Sequence, residues 1–230
     1  AKHLALEKEV PVTAYLAGIC LTESQVKNIL DNYHAIGVQS VLCVRGDNPH
    51  DGAPAEDTGD FQHATELLTF VKSNFGFQLG AAGYPEGHVE AESKETDWDY
   101  LKLKVDKGAQ YIISQYFYDN DYYYEFAENC RKRNINVPIV AGVMPIYSVK
   151  MMENLAAMCG ATITQRVREG LAQINVEDKE AVGAFGIELA LQQCRELLRN
   201  DVDGLHFYTM DRSQSVAKIV QQLRKEGVVP

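Results

Sequence analysis

Polar residues able to do chemistry gather where apolar runs of the sequence end. Arg45 and Asp47 follow Ser40 to Val44, and Tyr84, Glu86 and His88 follow Phe77 to Gly83. Gln115 lies near the end of Tyr111 to Phe117, and His206, Tyr208 and Arg212 close the last such run, from Gly204 to Tyr208. A guanidinium suits a phosphate, a carboxamide can donate and accept at once, and aromatic rings offer flat apolar faces. Taken together these residues suit one polar site facing a planar or phosphorylated ligand. No Cys or His spacing matches a metal-ligand pattern, so no metal is expected.

Such residues need a frame that delivers strand ends to one face. Apolar runs alternate with amphipathic segments throughout. The first run, Val10 to Ile19, precedes a helix opened by a capping box at Thr22 and Gln25 and closed at Gly37. Further helices are expected at about 61–74, 96–107, 121–133 and 149–159, each after an apolar run. Two helical stretches then follow without a strand between them, about 164–174 and 177–199, before a last strand and a helix at about 214–225. Six continuously apolar strands, each followed by a helix, predict an α/β fold with a parallel sheet covered by helices. An open doubly wound sheet and a (β/α) barrel both fit, and both put function at the carboxyl ends of the strands. A dinucleotide-binding open sheet would carry G-x-G-x-x-G after its first strand, whereas this one ends Ala17-Gly18-Ile19-Cys20-Leu21.

Composition narrows the partners. The 230 residues are 46% hydrophobic and 23% charged, enough for one sizeable core and against disorder. With 22 Lys and Arg against 32 Asp and Glu, the net charge of −10 repels a polyanion. The basic run Arg131-Lys132-Arg133 is too short for a nucleic-acid footprint and is expected to be a solvated helix end. No apolar stretch is long enough for a membrane span, and the first ten residues lack a signal core. Five widely spaced cysteines, an odd number without a C-x-x-C pair, suit buried reduced thiols and a cytoplasmic chain.

Several segments, taken in order, resemble the methylenetetrahydrofolate reductase family. They are Val44-Arg45-Gly46-Asp47-Asn48-Pro49, Gly83-Tyr84-Pro85-Glu86-Gly87-His88, Asp97 through Lys104 to Ala109, Ile113-Ser114-Gln115-Tyr116-Phe117, Gly142-Val143-Met144-Pro145-Ile146 and Leu205 through Asp211-Arg212. The resemblance covers essentially the whole chain. It implies a (β/α)8 TIM barrel holding FAD, with the chain as a single catalytic domain over 1–230 made of strands three to eight. The first two βα units are then expected before residue 1, with Ala1 to Glu7 as the tail of the second helix. The implied reaction is reduction of 5,10-methylenetetrahydrofolate to 5-methyltetrahydrofolate, with NADH or NADPH as hydride donor. Folate and nicotinamide would be the partners, with no nucleic acid and no membrane; a homo-oligomer is compatible with this.

The resemblance also implies roles. Tyr15, Arg45, Gly46, Asp47, Ala64, Tyr84, His88, Asp97 and Lys104 match cofactor-binding positions. Asp47 lies beside flavin and pterin, Gln115 meets the pterin, and Arg212 meets the aminobenzoyl-glutamate tail. The tyrosines at 116, 118, 122, 123 and 124 are expected to be core and rim packing. The family's first-strand glutamate, the acid that helps open the folate ring, has no counterpart in this chain. Tyr15 stands where the family often has a histidine, and Met151 and Leu155 stand where some members have Gln and Phe. A partner-dependent FAD- or folate-binding subunit is the main alternative. A cofactor-free folate methyltransferase barrel would not need the Arg45, Tyr84, His88, Asp97 and Lys104 set.

Overall fold

The computed structural model describes residues 3, 4, 8, 10–47 and 59–229. The expected helix tail at Ala1 to Glu7 and the Asn48-Pro49 part of the Arg45 motif fall largely or wholly outside these. The elements are β1 (Thr13–Ala17), α1 (Glu23–Ala35), β2 (Ser40–Val44), α2 (Ala64–Asn74), β3 (Gln78–Gly83), α3 (Lys94–Lys107) and β4 (Tyr111–Tyr116), then α4 (Asn120–Lys132), β5 (Ile139–Val143), α5 (Val149–Cys159), α6 (Gln165–Ala172), α7 (Lys179–Arg199), β6 (Leu205–Phe207) and α8 (Ser213–Lys225). The strands hydrogen-bond in chain order, β1-β2-β3-β4-β5-β6. A doubly wound sheet would reverse direction at a switch point, and this order has none. The fold is therefore of the (β/α)8-barrel class, with six βα units among the described residues.

Several expected elements come out shorter, and two of them have a clear cause. The apolar run at 10–19 gives a strand only over Thr13–Ala17, because those five residues are the ones matched by Ser40–Val44. Helix α2 begins at Ala64 rather than near Phe61, because Glu66 turns back and accepts from the Gln62 and His63 amides at 2.6 and 2.9 Å. The Thr22 and Gln25 capping box is present, and Gly37 takes the left-handed conformation just past α1.

The chain divides into two compact units, Ala1–Ala82 with Tyr100–Ile112 and Gly83–Asp99 with Ile113–Pro230. In the first, partners in parallel register point the same way, so Thr13 and Tyr15 share a face with Ser40, Leu42, Gln78 and Gly80. Gly80 leaves room there for the Tyr111 ring, which a Cβ would meet at 2.3 Å. The Tyr111 hydroxyl pairs with Ser40 Oγ at 2.7 Å.

In the second unit, Trp98 packs near Phe126, and Phe117 stacks on Tyr123. A second cluster joins Tyr116, Met144, Tyr147, Met152, Val167 and Val182. The tyrosine expectation holds: Tyr116, Tyr118 and Tyr123 are buried, and Tyr122 and Tyr124 half-buried. The basic run is more engaged than a solvated helix end. Arg131 donates to the carbonyls of Ile135 and Val137 and pairs with Asp203, while Arg133 pairs with Asp99 and covers the Trp98 ring. Only Lys132, paired within α4 to Glu128, is the expected surface charge.

Two glycines of α7 separate packing from propensity. A Cβ at Gly186 would lie 2.2 Å from the Ile146 carbonyl oxygen, whereas one at Gly183 meets nothing within 4 Å. Gly183→Ala should raise stability by about 0.5–1 kcal/mol through helix propensity. Gly186→Ala should lower it by about 1–3 kcal/mol or more through overpacking. Denaturant melts of the two variants check the pair.

Candidate functional site

In the first unit the site begins where the β1–β2 ladder runs out. The Gly18 amide still donates to Val44 O at 3.1 Å and the Ile19 amide to Arg45 O at 2.8 Å, so backbone pairing holds Arg45 in place. Gly46 then turns with φ +86, and a Cβ there would stand 2.8 Å from Ala17 Cβ. Only glycine lets the chain pass so close with that backbone angle. Arg45 is half-buried with Nε donating to Gly46 O at 3.2 Å, and Asp47 is exposed beyond it.

Ala64 is buried in the first turn of α2, where the helix dipole favours negative charge. Lys104, on α3, donates to Ala82 O at 3.1 Å, bringing its ammonium to the end of β3. Tyr15 is 48% exposed on the shared strand face. Partial burial, with the nearby Tyr111, pushes its phenol up from 10.0. The phenol is therefore a neutral hydrogen-bonding group.

In the second unit the sequence after β3 makes a tight turn. Gly87 donates to Tyr84 O at 3.0 Å with φ +85, and the Trp98 indole N–H donates to the same carbonyl at 3.2 Å. Tyr84 and His88 meet edge to face at 4.7 Å. His88 Nδ1 accepts from the Glu90 amide at 3.2 Å, so the neutral ring carries its proton on Nε2. Glu86 points the other way and caps the loop after α5, both carboxylate oxygens lying 3.1 Å from the Thr162 amide.

Gln115 uses Oε1 to accept from the Tyr116 amide at 3.0 Å, which leaves its NH₂ group as a donor. Tyr84, Glu86, Gly87, Gln115, Tyr116 and Cys159 line one cleft. Asp97 is not among the residues lining that cleft, and it is only 6% exposed on α3.

Arg212 is exposed at the start of α8, its guanidinium over the Tyr147 ring at 5.7 Å. The two residues before it, Met210 and Asp211, have φ of 48 and 58, a costly conformation for side-chain-bearing residues. Met151 and Leu155 line a shallow groove on α5 with Ser148, Lys150 and Asn154.

Sequence reasoning passed over a hydrogen-bonded chain that ties these strand ends. Tyr147 donates to Tyr208 O at 3.1 Å, Tyr208 donates to Ser114 O at 3.0 Å, and Ser114 Oγ accepts from the Gly142 amide at 2.8 Å. Only the strand-end position of Tyr208 hinted at it.

A match to the methylenetetrahydrofolate reductase family model spans residues 1–224. The chain belongs to this family. It is 36% identical over 211 residues to methylenetetrahydrofolate reductase (NADH) 1 of Arabidopsis thaliana, covering 86% of this chain and 36% of that protein. It is 36% identical over 197 residues to the probable methylenetetrahydrofolate reductase (NADPH) of Caenorhabditis elegans, covering 84% of this chain and 29% of that one. The 5,10-methylenetetrahydrofolate reductase of Buchnera aphidicola is 29% identical over 219 residues, covering 93% and 72%. The chain thus spans about a third of the length of the first two relatives. Among solved structures, an uncharacterized Clostridium thermocellum protein that binds two copies of 5-methyl-5,6,7,8-tetrahydrofolic acid has the same fold, with TM-score 0.60, 14% identity, and 98% and 78% of the two chains covered.

In this family member His206 supplies a pH test. It is half-buried, its ring edge-on to Tyr208 at 4.8 Å, and burial lowers its pKa below 6.5. The unfolded chain therefore binds more protons here than the folded one in the window just below 6.5, so stability falls as pH drops through it. Thermal melts from about pH 7.5 to about pH 5.5 should show a loss that His206→Gln reduces.

Proposed function

We propose that the chain is the catalytic barrel of a flavoenzyme that reduces 5,10-methylenetetrahydrofolate to 5-methyltetrahydrofolate with NADH or NADPH. The observation that carries this is the close turn at Gly46, set between Arg45 and Asp47 in a chain of this family. A backbone stripped of its side chain, with a guanidinium on one side and a carboxylate on the other, fits a ligand with a diphosphate and a polar flat ring. FAD is such a ligand, and when bound it supplies the hydride carrier between nicotinamide and folate.

Arg45, Gly46, the α2 end at Ala64 and Lys104 are suited to its phosphates and sugars, as are Tyr84, His88 and Asp97. Tyr15 would offer a hydroxyl to the ring. Asp47 would orient the pterin, and its charge would bias the ring's electron affinity. The NH₂ of Gln115 would donate to the pterin's carbonyl edge, and the exposed Arg212 guanidinium would pair with the glutamyl carboxylates. The NADH and NADPH relatives support a nicotinamide donor, and the folate-binding structural neighbour is compatible with a folate ligand. A cytoplasmic setting is supported by buried thiols, with burial pushing those of Cys43, Cys130 and Cys194 up to about 12.

Purified full-length protein should show a flavin absorption band that NADH or NADPH bleaches anaerobically and that methylenetetrahydrofolate restores. Gly46→Ala should abolish the band. Asp47→Asn should keep it while slowing its return with folate by roughly ten- to a hundredfold. A band that neither nicotinamide bleaches would favour a partner-dependent subunit. No band at all would sink the FAD assignment.

A further inference from the structure

Two tyrosine hydroxyls of the second unit, Tyr116 and Tyr118, have no hydrogen-bond partner of ordinary geometry among the described residues. Their residues are only 3% and 6% exposed. A buried hydroxyl left unpaired is costly, and phenylalanine would fill the same space without that cost. The two differ in setting. Tyr116 lines the cleft with Glu86, Gln115 and Cys159, whereas Tyr118 is not among its lining residues.

The cleft measures about 10 Å³, the space of a single water centre and too small for an organic group. The charged and titratable groups that face the Tyr116 hydroxyl are Tyr118, Cys159 and Glu86. Of these, the Cys159 thiol lies within hydrogen-bonding reach of the hydroxyl, but a thiol is a weak partner and leaves it short of a strong acceptor. Glu86 is a strong acceptor with spare capacity, since a carboxylate offers about four lone-pair sites and Thr162 supplies one donor. That same carboxylate disfavours an anion, and among the described residues no cluster of three metal-ligating groups exists.

We propose that this cleft is a binding site for one ordered water, which accepts from the Tyr116 hydroxyl and donates to the Glu86 carboxylate. The water anchors the Tyr116 ring to the turn after β3. Tyr116 in turn supplies the amide that holds Gln115 Oε1, so the water fixes the direction in which the Gln115 NH₂ points. Tyr116 is thereby a positioning residue for Gln115; this last step rests on the folate reading of Gln115.

The test compares Tyr116→Phe with Tyr118→Phe in the full-length protein. A crystal structure of the unsubstituted protein should show the water between Tyr116 and Glu86, and Tyr116→Phe should lose it and melt at a lower temperature. Tyr118→Phe should melt unchanged or higher. Tyr116→Phe should also raise KM for methylenetetrahydrofolate by roughly three- to tenfold while the rate of flavin bleaching by nicotinamide stays unchanged. No water, or a Tyr116→Phe protein as stable as the original, overturns the site. A water with unchanged KM overturns the positioning role. Absence of any folate reduction defeats the enzymatic reading alone, because the water and the melts are read without substrate.

Discussion

A tyrosine laid over a glycine is the contact on which the strand ends depend, and it occurs twice. In the first unit the Tyr111 ring of β4 lies over Gly80 of β3, and its hydroxyl reaches Ser40 of β2. In the second, the Tyr208 ring just past β6 lies over Gly142 of β5, and its hydroxyl reaches the Ser114 carbonyl of β4. In both cases the middle strand surrenders its side chain so that a phenol can bridge the strands on either side. The bond itself contributes about 0.5–1.5 kcal/mol. Its larger effect is geometric, because a Cβ at Gly142 would sit 2.3 Å from Ser114 O and force the three strands apart.

The second bridge also holds the backbone of candidate site residues. Ser114 precedes Gln115, so holding the Ser114 carbonyl and hydroxyl from two sides holds the backbone that carries the carboxamide. Tyr208 is itself held by Tyr147, whose ring carries the Arg212 guanidinium. A polar chain of this kind has few ways to relax, because any broken link leaves a buried donor or acceptor unpaired. The strain at Met210 and Asp211 is stored beside it, in the turn that leads to Arg212.

The strand and helix rhythm was legible in the sequence because parallel strands and their helices differ in period and in the residues that end them. Thr22, Gln25 and Gly37 marked both ends of α1 by type and spacing alone. Strand limits were less legible, because an apolar run such as 10–19 does not say where its neighbour's ladder stops. The strand-end positions of Arg45, Tyr84, His88 and Gln115 were legible, but their hydrogen-bond directions were not. Asp97 illustrates the limit: α3 buries it beside Trp98 while exposing Tyr100 and Leu103, so its pattern points to no single inner face. The Tyr-over-Gly bridges join residues 31 and 66 positions apart, Gly80 to Tyr111 and Gly142 to Tyr208, and no local pattern reports such a pairing.

Tyr15 shows how one substitution changes the chemistry open to a fixed backbone. β1 presents it on the same face as Ser40 and Leu42, and its register with Leu42 leaves no freedom to turn it to the opposite face without moving the whole strand. An imidazole on that face could take up a proton near neutrality and place a positive charge beside whatever ring is bound. The phenol cannot, and its pKa is raised further by burial and by Tyr111. Near neutrality this position therefore offers a neutral hydroxyl.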